Sequence, residues 1–166
     1  MNKSTLILAI LPAVAIAAGT SPDEAFYKKA AEGGMAEVEL GKVAQEKGQS
    51  QAVKDFGAMM VKDHSAANGD LQGIAAGKGI DLPDHASMMQ KAMKGKLEVM
   101  SGDAFDKAYV KGMVKDHKED IKEFEKEAKE GKDADARKFA NDTLPTLRKH
   151  LSTIERIASS TGVDTK

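Results

Sequence analysis

The residues of this chain best suited to chemistry are two imidazole and carboxylate pairs carried by a repeated pentapeptide. The copies are Met60-Val61-Lys62-Asp63-His64 and Met113-Val114-Lys115-Asp116-His117, 53 residues apart. An aromatic stands eight positions before each histidine (Phe56, Tyr109) and an apolar residue seven after (Leu71, Phe124), so the match extends into a short internal repeat. Glu37 and His150 interrupt apolar stripes in the same way. Three imidazoles and a carboxylate are a donor set for one transition metal ion: they suit zinc, iron or copper, whereas calcium and magnesium want more oxygen ligands. Asp63 and Asp116 can add ligands or act as outer acceptors that orient the rings. Neighbours on a helix diverge by about 100°, so neither aspartate pairs easily with the histidine beside it.

Helices must bring these residues together. Aromatic residues make up 4% of the 166 and charged residues 31%, a balance that favours soluble helices over sheets. Ser21-Pro22-Asp23 supplies an N-cap, a first-turn proline and an acid at the positive helix end, so a first helix is expected from there to about Gly48. Its stripe holds Phe26, Ala30, Gly33, Gly34, Glu37, Gly41 and Ala44. The glycines predict close approach by a neighbour, although each weakens the helix by about 0.5–1 kcal/mol relative to alanine. A second helix runs from about Ser50 to Ala76 on Val53, Phe56, Met60, Ala67, Leu71 and Ile74, and Gly77, Gly79 and Leu82-Pro83 end it. A third follows Ser101-Gly102-Asp103 and carries Phe105, Tyr109, Met113, His117, Ile121 and Phe124 to about Glu130. After the tight break Gly131-Lys132-Asp133, a fourth uses Ala136, Phe139, Leu147, His150, Ile154 and Ile157, with a kink at Pro145 and fraying from Ser159.

Short links join the first helix to the second and the third to the fourth, whereas about 24 residues separate the second from the third. The expected fold is therefore all-α: a four-helix bundle of two hairpins joined by a long, partly helical crossover between helices 2 and 3. The helical part lies between His85 and Met100 and is rich in methionine. A helix of about 28 residues is about 42 Å long, and the connector can just return along it. Helices 2 and 3 then run parallel, the two Asp-His copies share one height, and Glu37, His64, His117 and His150 meet in the core. The competing expectation is a metal-free hydrogen-bond network, since unpaired buried polar groups cost about 1–3 kcal/mol each. The methionines suit Cu(I), but flexible core filling is the simpler reading of them.

Residues 1–18 read as a signal peptide: Lys3 precedes the apolar run Leu6–Ala18, and Ala15 and Ala17 form an A-x-A cleavage site. The run is shorter than the roughly 20 residues a membrane span needs and contains Pro12. A mature domain of residues 19–166 in the periplasm or secreted is expected, with no membrane anchor after cleavage. No cysteine is present to form a disulfide or carry a lipid. Lysine and arginine total 25 against 26 acidic residues, which gives no support to a nucleic-acid surface. No nucleophile elbow, P-loop, dinucleotide fingerprint or Cys-His pair occurs, so the sequence leans toward binding rather than catalysis. An envelope protein or a second copy of the chain is the expected partner.

Ala30-Ala31-Glu32-Gly33-Gly34, Glu37-Val38, Leu40-Gly41, Met60-Val61 with Asp63-His64, Leu82-Pro83, Phe105-Asp106 with Tyr109, and Leu144-Pro145 with His150 resemble the bacterial exported family called domain of unknown function 4142. The resemblance runs from about Asp23 to Ile157 and implies a ferritin-like four-helix bundle that is exported. The wider ferritin-like group binds two irons through a glutamate on each of two helices and Glu-x-x-His on the others. Here Val61, Val114 and Leu147 stand three residues before the histidines, so a di-iron site does not carry over and one ion fits better. The function expected is transition-metal binding in metal handling or in protection against oxidative or envelope stress. The alternative is a metal-free helical envelope module whose methionine-rich connector docks a partner.

Overall fold

Short polar side chains start four of the five helices by taking up free backbone N–H groups. Ser21 accepts from Glu24 N–H at the start of α1 (Pro22–Lys47), and Ser50 from Val53 N–H at the start of α2 (Gln51–Lys78). Ser87 and Gln90 form a reciprocal capping box on α3 (Met88–Glu98), and Asp133 accepts from Asp135 and Ala136 N–H on α5 (Ala134–Thr161). The fifth, α4 (Gly102–Glu130), is entered through Gly102 at φ 61°, a left-handed value that favours glycine. The structure is a computed structural model that describes residues 21–164; the signal-peptide expectation for residues 1–18 lies outside the described residues. Among those described, the chain is all-α, with five helices and no strand.

The long helices pack side by side. α1 lies along α2 and α4 along α5, and the two hairpins meet through α1 on α4 and α2 on α5. Lys78 at the end of α2 reaches Asp133 and Asp135 at the start of α5 (2.7 and 2.8 Å), while Phe26 early in α1 packs on Phe124 late in α4 (5.0 Å between centroids). These neighbours are antiparallel, so α2 and α4 run parallel, as the connector length allows. Its helical part is α3, which crosses α1 and α4, with Lys94 3.2 Å from Glu39. The expected fraying from Ser159 is corrected: α5 continues to Thr161, because the Ser160 and Thr161 hydroxyls donate to Ile157 O and Gly162 (φ 67°) closes the end. The helix is continuous through Pro145.

Both links are held the same way by an aspartate from the opposite hairpin. Gln49 and Ser50 N–H donate to Asp106 (both 2.8 Å), and Lys132 and Asp133 N–H donate to Asp23 (2.6 and 3.1 Å). All three residues of the second set stand 83 positions from their counterparts in the first, so the hairpins hold each other reciprocally.

Two apolar clusters fill the interior. One holds Leu40, Val53, Phe56, Met60, Tyr109, Met113 and Ile154; the other holds Phe26, Ala31, Leu71, Phe124, Phe139 and Leu147. On every long helix the polar candidate residue falls between them in sequence: Glu37, His64, His117 and His150. The candidate site is therefore a polar layer with an apolar core on each side. Beside it the backbones of α1 and α2 touch, since a Cβ on Gly57 would lie 2.6 Å from Gly41 O and one on Gly41 2.7 Å from Gly57 O. Backbone cannot move aside as a side-chain tip can. Gly57→Ala is expected to destabilise the fold by about 1–3 kcal/mol by forcing these helices apart; a denaturant midpoint equal to that of the parent would contradict the close packing.

Candidate metal centre

Each of the four candidate residues comes from a different long helix, and all are enclosed. His117 and His150 are fully buried, and His64 and Glu37 are each 5% exposed. The ring centroids stand 5.2 Å (His64–His150), 5.4 Å (His117–His150) and 6.0 Å (His64–His117) apart. Phe56 packs against His117 and His150, at 6.2 Å from each. The shared height expected for the two Asp-His copies is thus what the parallel α2 and α4 produce.

Hydrogen bonding fixes one nitrogen of each ring. His117 Nδ1 is 2.9 Å from Met113 O, a carbonyl that can only accept, so this nitrogen carries the proton. His150 Nε2 meets Asp63 Oδ2 at 2.9 Å, and His64 Nδ1 meets Glu37 Oε2 at 2.9 Å; both donate to a carboxylate. In neutral rings the nitrogens left over, His117 Nε2, His150 Nδ1 and His64 Nε2, each present a lone pair. The first two face one another at 3.4 Å with no proton to share, and the third is buried without a partner. One nitrogen from each of the three rings lies within 4.8 Å of the other two. A buried triad of this kind could hold a metal ion, with each ring steered from behind by an oxygen acceptor.

Charge follows the same lines for two of the three rings. Burial pushes the His117 ring below the usual imidazole range, only partly offset by Glu37. Burial, with repulsion from His64 and His117, takes His150 down to about 4 against the pull of Asp63. Both are therefore neutral near pH 7, the form that ligates metals. Burial alone would lower His64, but Glu37 outweighs it and raises the ring, while the carboxyl of Glu37 is held low against its own burial by His64 and then His117.

The two aspartates of the repeat part company. Asp63 pairs across to His150 on α5 rather than with its sequence neighbour His64. Asp116 is half-buried and bonds none of the rings; burial and then repulsion from Glu37 raise its carboxyl to about 6. Glu37 lies behind two rings, its Oε2 on His64 and its Oε1 3.6 Å from His117 Nδ1, so it stands as an outer acceptor rather than among the converging nitrogens. Two participants went unseen in the sequence. The Met113 carbonyl is a backbone group that residue types do not reveal, and Asp120, 83 positions after Glu37, lies outside the apolar stripe of its helix; burial and then Glu37 raise its carboxyl far above the usual range. Met60 and Met113 lie in the apolar core, and the exposed His85 bonds Asp84.

Asp63→Asn tests the steering directly. It keeps the size of the side chain and removes the charge behind His150, so metal affinity is expected to fall about 10–100-fold. Titration calorimetry would read this, and an unchanged affinity would exclude the orienting role.

The chain belongs to the family described as Domain of unknown function (DUF4142), whose model matches residues 10–157. No curated protein matches it in sequence. Its fold is similar to the crystal structure of a DUF305 fragment from Deinococcus radiodurans, with TM-score 0.73 and 12% identity over 85% of this chain and 98% of that one. It is also similar to that of a "putative secreted protein DUF305" from Streptomyces coelicolor, with TM-score 0.74 and 14% identity over 90% of this chain and 99% of that one. At such identities the likeness is one of fold alone. No helix among the described residues is long and apolar enough to cross a membrane.

Proposed function

We propose that this protein is an exported, ferritin-like four-helix bundle that binds one transition metal ion, zinc, iron or copper, through His64, His117 and His150. Its role would be metal handling or protection of the envelope against oxidative stress. The observation that carries the reading is the convergence of one nitrogen from each of three buried rings, with an oxygen acceptor bonded to each ring. Lone pairs facing one another in a dry core are unfavourable unless a cation stands between them. The donor set is all imidazole, with carboxylates only behind it, which favours zinc, copper or iron over calcium or magnesium. The arrangement of four long helices with a long crossover supports the ferritin-like assignment, while Val61, Val114 and Leu147 in place of Glu-x-x-His speak for one ion rather than two. Export rests on the N-terminal sequence and on the name of the Streptomyces neighbour.

The test is metal analysis of protein purified from its native compartment beside a variant with all three histidines changed to alanine. About one metal ion per chain in the parent and background in the variant is the expected result. Equal background in both would refute metal binding.

One observation favours a second reading, an envelope interaction module with a structural polar core. Met88 and Met89 at the start of α3 and Val99 just past its end are 81%, 83% and 86% exposed, an unusual display of large apolar side chains. Met93, by contrast, lies over Gly112 of α4 and takes no part in that face. On this reading the chain would carry no metal and Met88→Lys with Met89→Lys would abolish its self-association, measured by light scattering. A monomeric parent would count against the dimeric form of it.

A further inference from the structure

A cavity of about 30 Å³, room for about one water-sized particle, opens beside the histidine layer. Its wall includes His64 itself and Glu37, whose Oε1 is buried without a hydrogen-bond partner. At the outer end stand Lys29 and Glu123, paired at 2.8 Å with side chains 64% and 46% exposed. Asp120 also lines it, with Asn68, Thr143 and an apolar remainder that includes three phenylalanines. Glycine keeps the α1 side bare. A Cβ on Gly34 would meet Asn68 Oδ1 at 2.0 Å, whereas one on Gly33 would find only Gln90 Nε2, at 4.0 Å.

We infer that this cavity is the route by which a metal cation exchanges between solvent and the three histidines, an inference that rests on the metal reading above. The geometry orders the contacts. Glu123 is reached first, in competition with Lys29, then Asp120, then the unpartnered oxygen of Glu37 and the His64 ring. A passage with the carboxylates of Glu123 at its mouth and Glu37 at its inner end, narrow enough for a single small particle, passes a cation that has shed most of its water and turns away anionic metal complexes. The larger groove between α2 and α5 touches Asp63, but none of the three histidines lines it. A cation in that groove meets the acceptor behind His150 rather than a ligand nitrogen.

The experiment follows cobalt(II) loading of the full mature chain by its visible absorption in stopped flow, and unloading into excess EDTA. Gly33→Leu fills the cavity from a position with free space, and is expected to slow both loading and unloading by about tenfold or more while leaving the equilibrium affinity unchanged, as narrowing a passage does. Lys29→Ala frees Glu123 at the mouth and should speed both. Ala66→Leu, in the α2–α5 groove, should alter neither. The exposed Lys29→Ala change leaves the core intact, so it remains informative even where Gly33→Leu unfolds the protein. Parent-like exchange rates in Lys29→Ala, or slowing by Ala66→Leu instead of Gly33→Leu, would overturn the route while leaving the metal site standing. A parent chain that takes up no cobalt would refute the site and the route together.

Discussion

A His117→Leu chain is expected to fold and to lose its response to metal. Leucine fits the volume of a fully buried ring that sits between apolar clusters and spends its Nδ1 on the Met113 carbonyl. The substitution removes the lone pair that faces His150 Nδ1 at 3.4 Å, so the metal-free fold loses little. The parent, by contrast, should gain about 4 kcal/mol of stability at a metal concentration 1,000 times the dissociation constant, by mass action on the folded state. The expected outcome is a melting temperature that climbs with added zinc in the parent and stays flat in the variant. A variant that still climbs as the parent does would mean that zinc binds elsewhere.

The second large effect is structural. Asp106→Ala removes both acceptors of the Gln49 and Ser50 N–H groups at once, and hydrogen bonds to a charged group are worth about 1.5–3 kcal/mol each. A loss of about 3–5 kcal/mol is expected, a drop of roughly 10 °C or more in melting temperature for a domain of this size. The denaturant midpoint should move with an unchanged slope, because the compactness of the two end states is the same. Asp106→Asn, which keeps one acceptor oxygen, should fall between alanine and the parent. A parent-like midpoint for Asp106→Ala would contradict the reciprocal hold between the hairpins.

Pattern and chain length made much of this arrangement legible. The apolar stripes at helical spacing, the cap at Ser21, the break at Gly131-Lys132-Asp133, and a connector long enough to return along a helix put His64 and His117 at one height before any coordinates. Glu37 and His150 followed from their place in the stripes. The protons were not legible: whether Glu37 ligates or orients depends on how α1 lies against α2, whose backbones come together at Gly41 and Gly57. Gly57 stood beside the conspicuous Phe56 and gave no signal of its own. Asp23 looked like an ordinary partner for the helix dipole, yet it reaches the opposite link, as Asp106 does from α4. The identical sequences around His64 and His117 likewise hid a difference: Asp63 of α2 reaches His150 on α5, whereas Asp116 bonds none of the rings although its helix α4 lies along α5.

X-ray absorption on the zinc-loaded mature protein tests the central claim most directly, since it reads the ligand shell without disturbing it. The expected result is one zinc per chain with three imidazole nitrogens at about 2.0–2.1 Å. A zinc shell made of oxygens without imidazole, or protein that retains no zinc, would contradict it.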